Sequence, residues 1–417
     1  MDQNISKNRT LWKFPWNYKE SFIVVLDLIV LSFILEALFQ GEGIKLPSLP
    51  YSIISFMILL FLTISLFLLF RTNKIIQWLS SVPAAMASIT LYAIVSLFMG
   101  IIPQNPVEEH ILLKLTGISH IGSSWLILFS SFFLLTVVGF TICKRMFPFK
   151  KRNIGFLMNH AGIWIIIASA SLGTGDLQRL RIQLYEGKEF NNVAIDDNKQ
   201  MYKLPFSLQL VDFEIEEYNP KLLIFNPITN SFIHQTGKSF QMIDNNFSIT
   251  ISNFRIDVIE FIKYAKPHET YFIQSDMLGA VPAAKITITD LNSNNATSGW
   301  ITSGGFGIEP TLINLSPELS ISLAAPEPKE YSSLLVIKDA QNNMDTISVI
   351  VNKPYSVDGY NLYQMSYNDK MGKWSDYSII EVISDPWLPI VYFGFLLLFI
   401  GSIFMLWWGR KIYDVES

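Results

Sequence analysis

In the run GFLMNHAGIWIIIASASLGTGD, residues 155–176, an asparagine and a histidine interrupt a stretch otherwise apolar enough to lie in lipid. Neutral imidazole is a good ligand for haem iron and a common proton carrier, and an ionisable group inside a membrane helix is a functional candidate by default. His160 therefore raises two chemistries, iron ligation and proton relay. A structural reading stands beside them: a ring hydrogen-bonded to a neighbouring helix, which Asn159 also suits. At helical spacing Phe156, Trp164 and Ile167 share the face of His160, so a flat macrocycle bound there would meet an apolar, aromatic wall.

Depth limits what His160 can share. It lies six residues from the basic end of its apolar run, about 9 Å of helix rise. His120 precedes the fourth apolar run at the opposite side, about 20 Å away along the membrane normal at 1.5 Å per residue. The two cannot bind one iron, so a haem with two axial imidazoles at His160 must take the second from another polypeptide or another copy. His120 reads first as an interfacial hydrogen-bonding residue and second as a haem contact. His110, His234 and His268 stand in polar contexts and read as solvated. Asp27 interrupts the first apolar run and Glu36 lies near its outer end. Without carboxylate partners on other runs, Asp27 reads as paired with a neighbouring polar group or hydrated near the inner interface.

Composition removes several alternatives. The single cysteine, Cys143, excludes an internal disulfide, a Cys-based zinc site, a C-x-x-C redox pair and a C-x-x-C-H haem attachment site. No Walker loop, H-E-x-x-H or G-x-S-x-G occurs, and Gly173-Thr174-Gly175 lacks the preceding strand and third glycine of a dinucleotide fingerprint. The formal charge of −4 hides an asymmetry: residues 176–385 hold 26 Asp and Glu against 16 Lys and Arg, while basic residues crowd short loops between apolar runs. Nucleic acid is not an expected ligand.

The elements that must position these groups are membrane helices. About 20 apolar residues span a bilayer, and runs near 21–39, 51–70, 83–102, 123–142, 154–173 and 387–408 reach that length. Lys7, Arg9, Lys13 and Lys19, then Arg71 and Lys74, then Lys144, Arg145, Lys150, Lys151 and Arg152, and finally Arg410 and Lys411 all fall on one side. By the positive-inside rule both termini are cytoplasmic and the segment between the fifth and sixth spans faces outward. Trp12, Trp16, Trp78, Trp387, Trp407 and Trp408 fall near the interfaces, and residues 73–81 and 107–116 read as short interfacial helices. The outer segment alternates apolar and polar residues in NFSITIS, KITITD, LSISL, SLLVI and TISVIV, between clusters of Asn, Asp, Gly and Pro. That pattern predicts a β sandwich or barrel-like assembly.

Three stretches together resemble the ResB (CcsB) family of cytochrome c biogenesis proteins of the pathway called system II. They are ITLYAIVSLFMGIIPQ (89–104), the run from 140 to 178 with its basic loop and His160-x-Gly162 start, and residues 358–408, where a Gly-Tyr-x-x-Tyr-Gln strand and Asp385-Pro386-Trp387 feed the last helix. The resemblance implies a subunit that moves haem to the outer membrane face and supports its attachment to apocytochrome c with a CcsA/ResC-type partner. It carries the family's membrane histidine onto His160 and implies haem b bound in transit in a bacterial inner membrane. The partner's W-W-D segment is absent: Trp407-Trp408-Gly409-Arg410 is an interfacial end. The number of spans also differs from that of many relatives.

The expectation is therefore a polytopic α-helical membrane protein of about six spans with a large extracytoplasmic, mainly-β domain between the fifth and sixth. Its parts are a cytoplasmic tail (1–20), five spans (21–173), the β-rich domain (174–386), a last span (387–408) and a cytoplasmic tail (409–417). The expected ligand is haem, held by His160 with Phe156, Trp164 and, less directly, His120, and the expected contacts are the CcsA/ResC-type protein, apocytochrome c and membrane lipid. Catalysis, where it occurs, would be shared with the partner. The rival reading is a transporter or channel subunit with an outer β domain.

Overall fold

A computed structural model describes residues 10–106, 110–229, 231–232, 242–251, 253–305 and 307–413. The chain divides into two compact units, Met1–Leu177 with Ser384–Ser417, and Gln178–Ile383. The second occupies most of the stretch expected as the β-rich domain; a few residues at either end belong to the first unit.

The first unit is helical. In chain order it contains α1 (Tyr18–Leu38), α2 (Tyr51–Phe70), α3 (Lys74–Leu79), α4 (Val82–Ile101), α5 (Ile111–Leu115), α6 (Trp125–Met146), α7 (Ile154–Gly173) and α8 (Leu388–Tyr413). All but α3 and α5 are long and apolar enough to cross a membrane. α3 falls within the expected helix 73–81, and α5 within 107–116, of which residues 107–109 lie outside the described residues, as does His234.

Local sequence starts these helices. Asn17 and Glu20 form a capping box on α1, the Asn17 N–H donating to Glu20 Oε2 at 2.9 Å. Pro83 sits in the first turn of α4, where its missing N–H costs nothing. Asp385 Oδ1 accepts from the N–H groups of Trp387 (3.1 Å) and Leu388 (3.2 Å), placing a carboxylate at the positive end of α8.

Packing then orders them. α1, α4 and α6 bury Val25, Ala84, Ala87, Leu91, Val95 and Phe133, with Trp78 of α3 stacked on Phe133. α7 and α8 approach closely enough to exclude side chains: a Cβ on Gly162 would lie 2.6 Å from both Gly394 O and Leu398 N. One on Gly401 would collide with the Asn159 N–H and lie 2.8 Å from Gly155 O. The outward faces of α2 and α8 are strongly apolar and bare, with Phe61, Leu69, Phe399 and Leu406 all exposed. Such a surface needs a cover of lipid or protein.

The second unit is built of strands: β1 (Gln178–Tyr185), β2 (Asn191–Ile195), β3 (Met201–Glu217), β4 (Leu222–Asn226), β5 (Ser231–Phe232), β6 (Ser248–Ile251), β7 (Phe254–His268), β8 (Tyr271–Gln274), β9 (Val281–Asp290), β10 (Ala296–Thr302), β11 (Ile313–Ser316), β12 (Leu319–Leu323), β13 (Pro328–Lys338), β14 (Met344–Ile350), β15 (Tyr355–Val357), β16 (Tyr360–Tyr367) and β17 (Tyr377–Ser384). The five alternating stretches of the sequence correspond to β6, β9, β12, β13 and β14.

These strands form three sheets. An eight-stranded sheet runs β14-β13-β3-β2-β1-β17-β16-β15. It curls so that β13 and β14 return toward β15 and β16, enclosing Ile182, Phe206, Leu208, Leu335, Leu362 and Ile380 in one core. Within that roll Ser333 Oγ donates to Gln364 Oε1 at 2.6 Å and lies 2.8 Å from Ser378 Oγ, a small polar cluster that is nearly sealed. The sheet β10-β9-β7-β6, with β8 on β7, and the sheet β11-β12-β4-β5 share a second core of Ile224, Ile256, Ile286, Ile301 and Ile321. The unit is thus a roll and a sandwich, linked through the chain where β3 leads into β4 and β12 into β13.

Candidate functional site

α7 is fixed in rotation before His160 can face anything. At its start Asn153 Nδ2 donates to Arg145 O at 3.0 Å, closing the end of α6. Nearly two turns later Asn159 Nδ2 donates to Ser402 Oγ (2.8 Å) and to Leu398 O (3.4 Å) on α8. Asn159 is therefore spent on the α7–α8 contact. Consecutive helical residues point about 100° apart, so His160 turns off that contact and stands half-buried.

The imidazole has a defined tautomer. Nδ1 lies 3.0 Å from Phe156 O, and a carbonyl oxygen only accepts, so the proton of a neutral ring is on Nδ1 and the lone pair on Nε2. Metal-ligating histidines ordinarily have their second nitrogen tied to a carbonyl or carboxylate in this way. Nε2 has no hydrogen-bond partner among the described residues and is not one of the unpaired atoms sealed inside the fold. The ring stacks on Phe156 at 3.7 Å between centroids and 25° between planes. The Arg145 guanidinium carbon lies 5.0 Å from the Phe156 centroid on its other contact. Arg145, Phe156 and His160 thus form a short column at the basic end of α7.

The aromatic wall expected around His160 takes a different form. Phe156 does not stand as a separate wall, because its ring is stacked on the His160 imidazole itself. Trp164 is nearly sealed, its Nε1–H donating to Leu135 O at 3.0 Å and its ring meeting Phe56 edge-on. Ile167 packs in the same cluster. Both belong to the contact of α7 with α2 and α6, because a helix wedged between neighbours buries the flanks that sequence spacing alone leaves open. His160, Phe156 and Arg145 are brought together; Trp164 and His120 are not part of that column.

His120 belongs to a polar knot at the other end of the helices. Its Nε2 lies 2.9 Å from Glu36 Oε1, and both side chains are nearly sealed. Glu36 also accepts from the N–H groups of Gly43 (3.0 Å) and Trp125 (3.0 Å). Gly117, at φ +71°, passes so close to the Glu36 carboxylate that a Cβ would lie 3.0 Å from it. The knot ties the end of α1 to the loop before α6. Nothing in the local sequence links residues 84 positions apart. Beside it a cavity of about 220 Å³ is lined by Tyr92, Ser96, Ser124, Ser131, Ser171 and neighbouring apolar groups, at the end of α7 away from His160.

No protein-family model and no curated protein matches this chain.

A second tie was also hidden in the sequence. Asp176 closes the helical unit: it accepts from Leu49 N–H (2.5 Å), Ser52 Oγ (2.6 Å) and Trp387 Nε1 (2.7 Å). Burial pushes its carboxyl upward, but these three donors outweigh that and hold it below the usual carboxylate range. Asp176 thereby fixes the ends of α2, α7 and α8, and among the described residues no group of three or more His, Cys, Asp or Glu side chains could hold a metal ion.

Proposed function

We propose that the six long helices cross a bilayer, with both termini on the cytoplasmic side and the β unit outside, and that the chain is a haem-handling subunit of the ResB/CcsB kind. In this reading it passes haem b outward as cargo and supports its attachment to apocytochrome c together with a CcsA/ResC-type membrane partner. The orientation rests on Lys13, Lys19, Arg71, Lys74, Lys144, Arg145 and Lys150 to Arg152 crowding one set of helix ends.

The observation that carries the functional reading is the His160 imidazole. Its Nδ1–H is tied to Phe156 O at 3.0 Å, which leaves the Nε2 lone pair directed away from the helix backbone for iron. Arg145 stands on the same column, where its guanidinium would pair with a carboxylate of the macrocycle. One imidazole, with no metal-holding group of three or more His, Cys, Asp or Glu side chains among the described residues, is a half-site, and a second ligand and the facing wall would come from the partner. The chain's own residues hold the imidazole in one tautomer, brace it against Phe156 and supply a cation; haem supplies the iron.

The test is an absorption spectrum of the complex purified from membranes. His160→Ala is expected to lower bound haem at least about tenfold, the scale of losing a metal's supporting bond, at unchanged protein level. An unchanged spectrum from a folded His160→Ala complex overturns the assignment.

A further inference from the structure

Asp27 sits midway along α1, nine residues from Tyr18 and eleven from Leu38, about 14 and 17 Å of helix rise from the two ends. It is exposed on the outside of the helical unit and makes no hydrogen bond or ion pair among the described residues. Its neighbours toward that face are Leu26, Val30, Leu31 and Ile34, all exposed, while Val25, Ser32 and Glu36 on the opposite face are buried. Neither expected solution for this carboxylate is met: no polar neighbour reaches it, and an aspartate is too short to carry its charge to an interface that far away.

We infer that this face of α1 docks a membrane helix of a different polypeptide, one that carries a lysine or arginine at the depth of Asp27. The inference rests on the bilayer reading given above and not on the ligand at His160. A lone carboxylate surrounded by lipid is strongly disfavoured, and intramembrane charges face a partner or water. The apolar stripe around Asp27 supplies the packing surface, and the single acid fixes the register. A second copy of this chain cannot provide the cation, because none of its six long helices has a lysine or arginine in its middle third. Two copies meeting through α1 would instead oppose two aspartates.

The experiment places a photoreactive amino acid at Leu26 or Val30 of the full chain in native membranes, and a control at Phe61, on the exposed face of α2. Lipid adducts at Phe61 are the control for the bilayer reading; their absence removes that premise by itself. At Leu26 and Val30 the expected product is one protein adduct, whose cross-linked peptide lies in a membrane helix bearing a lysine or arginine. Its yield should fall at least tenfold in Asp27→Leu and persist in Asp27→Glu. Asp27 is exposed and makes no hydrogen bond or ion pair among the described residues, so Asp27→Leu should keep the same unfolding midpoint in detergent. A pairing of Asp27→Lys with the partner's cation changed to aspartate should restore the adduct. Adducts to this chain's own peptides, to lipid alone, or equal yields from Asp27→Leu overturn the inference.

Discussion

Gly162→Ala measures how firmly α8 holds the helix that presents His160. The new Cβ would lie 2.6 Å from Gly394 O and Leu398 N, and 2.9 Å from Leu398 Cβ. Ordinary contact begins near 3.4 Å, so the α8 backbone must retreat by about 0.8 Å. A backbone cannot swing aside as a side-chain tip does, so the two helices must separate as bodies. A shift of that size would stretch the 2.8 Å bond from Asn159 to Ser402 toward about 3.6 Å, where it no longer counts as a hydrogen bond. Overpacking costs about 1–3 kcal/mol and the lost bond about 0.5–1.5, while alanine's helix preference returns about 1. The net loss is about 0.5–3.5 kcal/mol. Reversible unfolding in mixed micelles, followed by helical circular dichroism, reads it against Gly100→Ala, where the added Cβ would meet no neighbouring element within 4 Å. That control should be neutral or up to about 1 kcal/mol more stable. Adding Gly401→Ala to Gly162→Ala should cost less than the sum of the two, since the first already parts the helices. Equal stability of Gly162→Ala and Gly100→Ala, or full additivity of the pair, refutes the close-packed seam.

Four further outcomes follow from the same geometry. Glu36→Ala strands the Gly43 and Trp125 N–H groups and the His120 ring, and should cost about 3–5 kcal/mol in the same unfolding assay, with Glu36→Gln costing less. Because the folded Asp176 carboxyl lies below its unfolded value, its contribution is full above the unfolded pKa and is lost as pH falls through the folded one; thermal stability should hold from pH 7 to about 5 and drop below about 4, whereas Asp176→Asn should be about 1–2 kcal/mol weaker at pH 7 and flatter toward acid. Imidazole added to His160→Gly should restore the haem spectrum if iron is bound there, and a solute-flux assay in liposomes that responds to neither variant sets aside the transporter alternative. Gln364→Ala should lower the unfolding midpoint of the β unit by leaving Ser333 and Ser378 with only each other, a loss of about 1–3 kcal/mol.

The long helices and a minority of the strands were legible because their signals are local. A run of 20 apolar residues, a proline in a first turn, or Ile249 alternating with polar neighbours carries its own meaning within a few positions. His160 was legible for the same reason, since a histidine in such a run is chemically conspicuous wherever the run packs. The partner of His120 was not: Glu36 lies 84 residues earlier, and only the meeting of α1 with the loop before α6 brings them to 2.9 Å. Trp164 illustrates the opposite error, for spacing put it on the face of His160 while packing against Phe56 and Leu135 sealed it away.

Sequence by itself determined that six segments are oily enough to span a membrane, that a polar, strand-forming segment separates the last two, and that one imidazole and one mid-helix carboxylate stand among the apolar residues. Only the tertiary structure decided which way those two groups point. The apolar residues of α1 are spread around its whole circumference, so no periodicity marks its buried face, and the contacts with α4 and α6 turned Asp27 outward. The order of the strands, β17 beside β1 and β13 beside β3, was likewise beyond local reading. Pairing energy depends on which distant edges meet, and that is a property of the assembled chain.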